Sequence, residues 1–465
     1  MSTGWAEGYE RAGVADGAAR ASVPGGSDLA GITERVCAVA ECPRAPRAWR
    51  MAFAVSAALT ALFLALIAYL VATGIGVWGL NVPVGWAFDI TNFVFWIGLA
   101  HAGTFISAIL LLLRQPWRAS VSRLAEAMTI FSVLCAAIFP TIHLGRIWVA
   151  YWALPYPNYI GMWPNFRSPL VWDVFAIGAY FVVSLLFWYL GMVPDLAALR
   201  DRARSPRRKL VYGLLALGWR GSARHWAWYR QTCLLLAGLV TALVISVHSV
   251  VSYNFAATVL PGWHSAIFPP YFVVGAIFSG LAMVVTIAVP ARHIFGLREI
   301  ITARHLGKVG TLLLAMSCLI AYAWLMETFT AWYSGSTHER VAALGRATGP
   351  LRWACAVTIL CNVVIPQLLW SRRVRGNTGW LFAISLLVNI GMWLERFVIV
   401  VFSLSRDYLP SSWRDYAPTW VELGMLAGSF GLFLMLLLLF CRYLPMVALV
   451  ELKEAAAGAA GKRHE

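Results

Sequence analysis

The chain has 465 residues, of which 60% are hydrophobic and only 12% are charged, and its mean hydropathy is +0.71. A water-soluble protein cannot bury so much apolar surface, so the composition excludes that class and predicts a protein that crosses a membrane several times. The formal net charge is +16, but the basic residues cluster in short stretches between apolar runs. Such clusters are typical of signals that orient membrane helices, so we expect no nucleic-acid partner.

The N-terminal segment, residues 1–48, is rich in Ala, Gly and Ser and contains Pro24, Pro43 and Pro46. This composition predicts a mobile tail, because too few apolar residues are available to form a packed core. The segment also lacks the apolar stretch that a cleavable signal peptide needs.

Ten apolar runs follow, and each is long enough for the roughly 17 to 25 residues of a membrane-spanning helix. Apolar and polar residues do not alternate within the runs, so strands are not expected. The predicted fold class is therefore an all-α polytopic membrane protein with ten transmembrane helices. The runs lie near residues 50–73, 88–113, 124–145, 170–191, 231–252, 271–290, 310–333, 351–370, 380–403 and 419–443.

The distribution of basic residues predicts the orientation of these helices. The segments on the side of the two termini contain 27 Lys and Arg residues, and those on the opposite side contain 7. The positive-inside rule then makes both termini cytoplasmic, so odd-numbered helices run outward and even-numbered helices run inward. The nine basic residues within 200–230 indicate an orientation signal and contact with lipid headgroups.

Ionisable side chains concentrate near one face of the predicted bilayer. Such a group deep in lipid costs about 2.5 to 3.5 kcal/mol on insertion scales, so it normally faces a bundle interior or a cavity. Helix parity assigns most of these groups to the outer half of the membrane, with His101, halfway along the second helix, as the main exception. The others are Asp89, His143, Asp173, His248, Glu327, Glu395 and Arg396.

Several kinds of redox and catalytic site are not expected in this chain. No predicted helix contains two histidines, as a membrane haem b site requires, and no C-x-x-C-H motif occurs. Phosphate-binding loops and nucleophile elbows are also missing, and the eight cysteines form no C-x-x-C pair. We therefore predict no covalently bound cofactor and no metal site.

A quinol site fits the remaining pattern, because quinol oxidation releases two electrons and two protons and needs a base within hydrogen-bond reach. His143 ends the third predicted helix, and an imidazole can accept a proton near neutral pH and pass it on. Asp173 opens the fourth helix and can serve as a second acceptor or relay. Arg146 shares a helical face with His143, so it could hold an anionic intermediate or the aspartate.

Structural roles explain some of the same residues. Asp173 could cap its helix, and Glu395 with Arg396 could form a buried structural pair. We interpret Glu126 and Glu422 as structural, because both lie near helix starts, where the helix dipole favours an acid. The aromatic residues after Arg146 could form an interfacial belt or cover a pocket. Two other classes of protein also stay open: an ion-coupled secondary transporter, and a structural membrane anchor for redox subunits.

Three stretches carry a family resemblance: "NVPVGWAFDITNFVFWIGLAHAGTFISAILLLLRQPWR", "RLAEAMTIFSVLCAAIFPTIHLGRIWVAYW" and "WPNFRSPLVWDVFAIGAYFVVSLLFWYLGMVPDLA". They resemble the NrfD-type membrane subunits of polysulfide reductases. Within that group they look like the quinol-oxidising ActC subunit of bacterial alternative complex III. The resemblance is strong over about residues 78–200 and looser to about 440.

This resemblance implies two four-helix bundles, helices two to five and six to nine, flanked by helices one and ten. The corresponding divisions are residues 1–48 (cytoplasmic tail), 49–79 (helix one), 80–255 (first bundle), 256–405 (second bundle), 406–445 (helix ten) and 446–465 (cytoplasmic C-terminal tail). It also implies that His143 and Asp173 hold a quinol head group near the outer face, with Arg396 contributing from helix nine. We add Arg146 and Glu395 as support for that site.

We assign Asp89, His101, His248 and Glu327 to a proton route. The resemblance further implies that the substrate is a quinol such as menaquinol and that the location is the bacterial inner membrane. The expected partners are an iron–sulfur subunit, multihaem cytochrome c subunits and a second NrfD-type membrane subunit. The electron acceptors, iron–sulfur clusters and c-type haems, would then reside in those partners.

Overall fold

The computed structural model describes residues 45–153 and 166–454, together with Thr33 and Cys37. Over these residues the chain is helical and contains no β-strand, which confirms the predicted all-α class. The predicted mobile tail lies almost wholly outside the described residues. Residues 446–454, which open the predicted C-terminal tail, pack against the helices and bury Met446, Leu449 and Leu452.

Among the described residues, ten helices are long and apolar enough to cross a membrane, as predicted. Most of them begin and end within a few residues of the predicted positions. They are α1 (Arg47–Thr73), α2 (Phe88–Leu112), α3 (Ser122–His143), α4 (Pro169–Arg202), α5 (Ala223–Ala256), α6 (Phe268–Ile294), α7 (Ala303–Tyr333), α8 (Arg352–Trp370), α9 (Thr378–Ser405) and α10 (Trp420–Tyr443).

The two helices that exceed their predicted runs most, α4 and α5, have 34 residues each. At about 1.5 Å per residue such a helix is about 51 Å long, which exceeds the roughly 30 Å of hydrocarbon in a bilayer. An apolar run in the sequence reveals only the part of a helix that lies in lipid. The backbone hydrogen bonds continue both helices into the basic segments that follow or precede the run. Both helices extend toward the side of the bundle that carries residues 45 and 454. We name this the tail side and the opposite side the far side.

Shorter elements connect the ten helices. The helix Pro206–Leu215 follows α4 on the tail side, and the helix Thr337–Thr348 follows α7 on the far side. The remaining short pieces are Ile75–Val77, Pro116–Ser120, Ile147–Ala153, Arg372–Gly376 and Pro410–Ser412.

Two of the ten helices contain a widened π-helical turn, Leu360–Val364 in α8 and Val398–Phe402 in α9. Such turns are rare in helices and often occur at functional sites. The turn in α8 includes Asn362, whose amide donates to the buried carboxylate of Glu395 in α9 at 3.1 Å. The widened turn therefore accompanies a polar contact inside the helix bundle.

The helices pack in two groups of four. Within the first group, α2 packs against α3 and α5, and α4 packs against both α3 and α5. Within the second, α6 packs against α7 and α9, and α8 packs against α7 and α9. Since α2 and α6 also pack directly against each other, the division into two separate bundles stays a prediction. Helices α1 and α10 pack together beside α3.

Side-chain caps fix several helix starts. Thr419 and Glu422 form a reciprocal capping box at the start of α10, and Ser222 and Thr302 cap α5 and α7. Glu422 also accepts the backbone N–H of Gly79 at 2.9 Å, so it joins α10 to the loop before α2. These contacts agree with the structural interpretation of Glu422.

A substitution at the contact between α2 and α6 tests the packing of these two helices. A Cβ atom at Gly280 in α6 would lie 2.0 Å from the Cβ atom of Ala102 in α2. Gly280→Ala should therefore destabilise the protein by about 1 to 3 kcal/mol, as overpacking usually does. Thermal unfolding in detergent measures the effect as a lower midpoint. Gly238→Ala is the control, because nothing lies within 4 Å of a Cβ at that helical position. A Gly280→Ala midpoint equal to that of the control would contradict this packing.

Candidate functional site

Asp89 and His143 contact each other at the far side of α2 and α3. Asp89 lies in the first turn of α2 and is buried, whereas the His143 side chain, at the last residue of α3, is 25% exposed. One carboxylate oxygen, Oδ2, contacts Nδ1 of His143, and the other accepts the backbone N–H of Ala87 at 3.2 Å. The Trp78 ring stacks on the imidazole with a centroid distance of 6.4 Å. The carboxylate and the indole together hold the imidazole, and a further partner would have to bind its Nε2 atom.

Asp173 forms a second pair, with Asn254, between α4 and α5. The Asn254 amide donates to Oδ2 of Asp173, and each residue is only 7% exposed. Two oxygens, Oδ1 of Asp173 and Oδ1 of Asn254, have no hydrogen-bond partner among the described residues. Buried polar atoms normally have a partner, so two neighbouring acceptors without one indicate a place for a hydrogen-bond donor. Sequence reasoning missed Asn254, whose only signal was an amide near the end of an apolar run.

The helix that carries Asp173 is apolar and exposed around this pair. Leu170, Val174 and Phe175 of α4 have exposed fractions of 53%, 37% and 46%. In a protein that spans a membrane, side chains on such a face contact lipid. A buried carboxylate therefore lies next to a surface that an apolar tail can reach.

The predicted site residues do not form one cluster. The structure pairs His143 with Asp89 and Asp173 with Asn254, rather than His143 with Asp173. All four lie at the far side of the same group of helices, α2 to α5. The roles of His143 and Asp173 in binding stay predictions.

The expectation that Arg146 shares a helical face with His143 was wrong. Helix α3 ends at His143, and Gly145 follows with a φ of +68°, which turns the chain out of the helix. Arg146 therefore lies beyond the helix, and its side chain is exposed. The aromatic residues predicted to cover a pocket lie partly in 154–165, outside the described residues.

Glu395 and Arg396 are buried in the second group of helices. Their charged atoms lie 3.3 Å apart, and Glu395 also accepts from Trp324 at 3.4 Å. The Arg396 guanidinium lies over the ring of Phe272 in α6, 4.2 Å from its centroid. Gly275 makes room for it, since a Cβ there would lie 2.4 Å from the guanidinium. These contacts place Arg396 against α6, and its predicted contact with a quinol stays a prediction.

Glu327 pairs with Arg346, which reaches down from the far-side helix Thr337–Thr348. The two charged atoms lie 2.5 Å apart, and Arg346 also donates to the backbone oxygen of Gly262 at 2.9 Å. Burial opposes the Arg346 charge, but the neighbouring Glu327 carboxylate outweighs it and raises the pKa of Arg346. The pair therefore attaches the surface helix to α7 and to the loop before α6.

His101 and His248 face each other at the centre of the first group of helices. Their Nδ1 atoms lie 2.9 Å apart, and neither side chain has measurable exposure. One Nδ1 must donate and the other accept, so the two rings have opposite tautomers when both are neutral. Neither Nε2 atom has a hydrogen-bond partner among the described residues. The Tyr180 ring packs against His101 with a centroid distance of 4.4 Å.

Buried hydroxyl groups, in two hydrogen-bonded groups, lie between this imidazole pair and the tail side. Tyr180 and Thr129 each donate to the backbone oxygen of Ala100 at 2.8 Å. Thr104 donates to the hydroxyl of Thr129 at 2.8 Å, and one turn further Ser107 donates to Glu126 at 2.5 Å. All of these side chains except that of Ala100 are polar and buried inside the first group of helices.

Five charged side chains form a cluster at the tail side of the same helices. Arg123 contacts Glu126 at 3.0 Å and Asp195 at 3.1 Å, and Arg118 contacts Glu126 and Glu451. Burial opposes the Arg118 charge, but Glu451 and Glu126 outweigh it and raise the pKa of Arg118. Sequence reasoning missed this cluster, because the basic residues were interpreted only as an orientation signal and Glu126 only as structural. The spacing of Arg123 and Glu126, three residues apart, and the acid Asp195 within an apolar run were the available signals.

The structure offers no candidate metal centre in the part of the chain that it describes. No group of three or more His, Cys, Asp or Glu residues there is placed to hold a metal ion.

These features define a class of protein: a multi-pass helical membrane protein with polar and charged pairs inside its helix bundle. A family model described as "Polysulphide reductase, NrfD" matches residues 76–406, which is most of the chain. The protein therefore belongs to the NrfD family.

Curated relatives agree with this assignment. The chain is 24% identical to the putative dimethyl sulfoxide reductase membrane subunit of Halobacterium salinarum, over 83% of this chain and 91% of that protein. It is 22% identical to the Hdr-like menaquinol oxidoreductase integral membrane subunit of Archaeoglobus fulgidus, over 76% of this chain and 80% of that protein. It is also 28% identical to the menaquinone reductase integral membrane subunit of Nitratidesulfovibrio vulgaris, over 30% of this chain and 34% of that protein.

The tail-side cluster generates a stability prediction. Arg123→Met should destabilise the protein by about 3 to 5 kcal/mol, because it leaves two buried carboxylates without their main partner. Thermal unfolding of the purified protein in detergent measures this change. Asp195→Asn in the same chain should recover part of the loss.

Arg230→Met is the matched control for this experiment. Arg230 pairs with Glu454 at 2.7 Å, but the two side chains are 65% and 48% exposed. An exposed pair of this kind contributes about 0 to 1 kcal/mol. Equal midpoints for the Arg123 and Arg230 variants would show that the buried cluster does not stabilise the fold.

Proposed function

We propose that this chain is the quinol-binding and quinol-oxidising membrane subunit of an electron-transfer complex of the alternative complex III type. The observation that carries the proposal is the pair of acceptor sites at the far side of α2 to α5. One is the imidazole held by Asp89, and the other is the Asp173–Asn254 pair with its two open oxygens.

A hydroquinone presents two O–H donors on opposite edges of one ring. Oxidation breaks both O–H bonds, gives the quinone, and releases two protons and two electrons. An ionised Asp89 keeps the proton of His143 on Nδ1, so Nε2 presents a lone pair to the first hydroxyl. Oδ1 of Asp173 accepts from the second hydroxyl, with Oδ1 of Asn254 beside it. In this arrangement each proton has a base within hydrogen-bond reach when the electrons leave.

Access and exit follow from the surroundings of the two pairs. The exposed apolar face of α4, around Asp173, offers a path for the isoprenoid tail from lipid. The His143 side chain is partly exposed at the far side, so a proton that it accepts can leave there. The asymmetry in Lys and Arg supports an orientation with both termini cytoplasmic and the far side as the outer face, and the bacterial inner membrane rests on the family resemblance.

The named relatives support a quinone-linked role. Two of them are named for menaquinone or menaquinol, which favours menaquinol as the substrate class. The direction of the reaction rests on the resemblance to ActC, since one of these relatives is named as a reductase. In this proposal electrons pass to iron–sulfur clusters and c-type haems in partner subunits docked at the far side. The membrane part also includes a second NrfD-type subunit.

A proton route between the two sides of the membrane is the second part of the proposal. The buried hydroxyls from Ser107 to Tyr180 lie between the tail-side charges and the imidazole pair, and water would have to bridge the gaps between the hydrogen-bonded groups. A proton can cross the imidazole pair when the two rings exchange tautomers, and water at the open Nε2 atoms would extend the route. Asp89 completes it at the far side. Glu327 lies outside this set of groups, so its membership in the route stays a prediction.

The quinol site can be tested in the purified complex by following quinol oxidation with an artificial electron acceptor. His143→Ala and Asp173→Asn should each lower kcat by about 100-fold or more, because each removes a positioned proton acceptor. The set of protein bands on a gel should stay unchanged. His264→Ala is the matched control, because His264 is an exposed far-side histidine that contacts the backbone oxygen of Thr258. Full activity in both site variants would contradict the proposed quinol site and favour a role as a structural membrane anchor.

The proton route can be tested by counting protons per quinol in proteoliposomes with a pH-sensitive dye. Ser107→Ala removes the hydroxyl bonded to Glu126 and should at least halve the uptake of protons from the tail side, while quinol oxidation stays within about twofold. Ser317→Ala is the control, since it removes an equally buried hydroxyl in α7, bonded to the backbone oxygen of Asn362. Wild-type complex that takes up no protons from the tail side would contradict this part of the proposal.

A further inference from the structure

The short helix Pro206–Leu215 and the turn after it leave a row of large apolar side chains uncovered. Leu210, Val211, Leu214 and Leu217 have exposed fractions of 64%, 51%, 69% and 66%. Leu210 and Leu214 lie four residues apart and so share one face of the helix, and Leu217 follows in the turn after it. An apolar row of this kind on the surface of a protein marks a contact with lipid or with another protein.

Two hydrogen bonds set the depth of this helix. The Tyr212 hydroxyl donates to the backbone oxygen of Tyr443, the last residue of α10, at 2.9 Å. The Tyr189 hydroxyl, in α4, donates to the backbone oxygen of Leu215 at 2.7 Å. Since Tyr189 lies well before the end of α4 at Arg202, the short helix folds back along α4. The apolar row therefore returns to the level at which the membrane helices begin and end.

Exposed basic side chains precede and follow the row in the sequence. Arg204, Arg207 and Lys209 are exposed at the start of the short helix, and Arg220 and Arg224 are exposed after the turn. The Arg224 guanidinium also lies over the exposed ring of Trp228, 4.4 Å from its centroid. A row of leucines at membrane depth, bordered by bases and a tryptophan, is the arrangement of a helix that lies in a membrane interface.

We propose that the segment 206–217 is an interfacial element that binds anionic phospholipids of the tail-side leaflet. Leu210, Leu214 and Leu217 enter the acyl-chain region, while Arg207 and Lys209 contact the phosphate groups. The depth of the row favours lipid over a soluble protein, because Tyr189 and Tyr443 hold it at the level of the bilayer surface. Charge complementarity favours anionic over neutral lipid.

Hydrogen–deuterium exchange of the intact complex in nanodiscs tests the proposal without any substitution. One set of nanodiscs contains phosphatidylcholine alone, and the other also contains phosphatidylglycerol. We expect slower exchange over 206–217 with the anionic lipid and no change over the basic segment 372–376, which lacks a comparable apolar row. Equal exchange over 206–217 in the two lipids would overturn the proposal.

Paired variants test which side chains carry the binding. Arg207→Gln with Lys209→Gln should weaken the retention of phosphatidylglycerol, measured by native mass spectrometry, by about fivefold for each base removed. Arg372→Gln with Arg373→Gln removes two exposed bases of the same side and should leave retention within about twofold. If both double variants lose phosphatidylglycerol equally, the effect depends only on the net charge of the protein, and the proposal is overturned. If the variant with Arg207→Gln and Lys209→Gln loses a partner protein while its lipid retention is unchanged, the segment binds that protein rather than lipid, and the proposal is overturned.

Discussion

The structure depends on one constraint: a charge inside a membrane protein must have a partner, because neither lipid nor the apolar core can solvate it. Nearly every buried ionisable group described above obeys it. Arg123 is held between Glu126 and Asp195, Glu327 has Arg346, and Asp89 has His143. Three of these contacts, Arg123–Asp195, Glu327–Arg346 and Asp89–His143, join different elements, so they also fix how the helices meet. The buried polar groups thus hold the helices together in addition to any chemical role.

The same constraint separates structural pairs from candidate sites. In the tail-side cluster, each carboxylate meets a guanidinium, and the contacts saturate most of the charged atoms. At Asp173 the partner is a neutral amide, which leaves two acceptor oxygens open inside the described part of the protein. A satisfied pair stabilises a fold, whereas an unsatisfied acceptor carries a cost that a donor ligand removes on binding. This asymmetry separates the Asp173–Asn254 pair from the ion pairs of the tail-side cluster.

The sequence predicted the helices well, because hydropathy and helix length obey the physics of the lipid. It could not predict the ends of α4 and α5, since helices continue in the interface where no apolar signal exists. The order of the helices placed His143 and Asp173 on the same side of the membrane. That order gives the depth of a residue but does not show which side chains it contacts. The partners Asp89 and Asn254 come from helices α2 and α5, and only packing selects them. The position of Arg146 depended on one glycine, Gly145, with positive φ.

The depth of the two acceptor pairs limits how the chain can work with a complex. Electrons cross only short distances efficiently, so a quinol must be oxidised close to its electron acceptor. If a quinol binds at the two acceptor pairs, as proposed, its electron acceptor must lie at the far side, in a partner that covers the ends of α2 to α5. The tail side, by contrast, holds the charged cluster and the buried hydroxyl groups that begin at Ser107. In the proposed function, electrons would therefore leave at the far side while protons enter from the tail side.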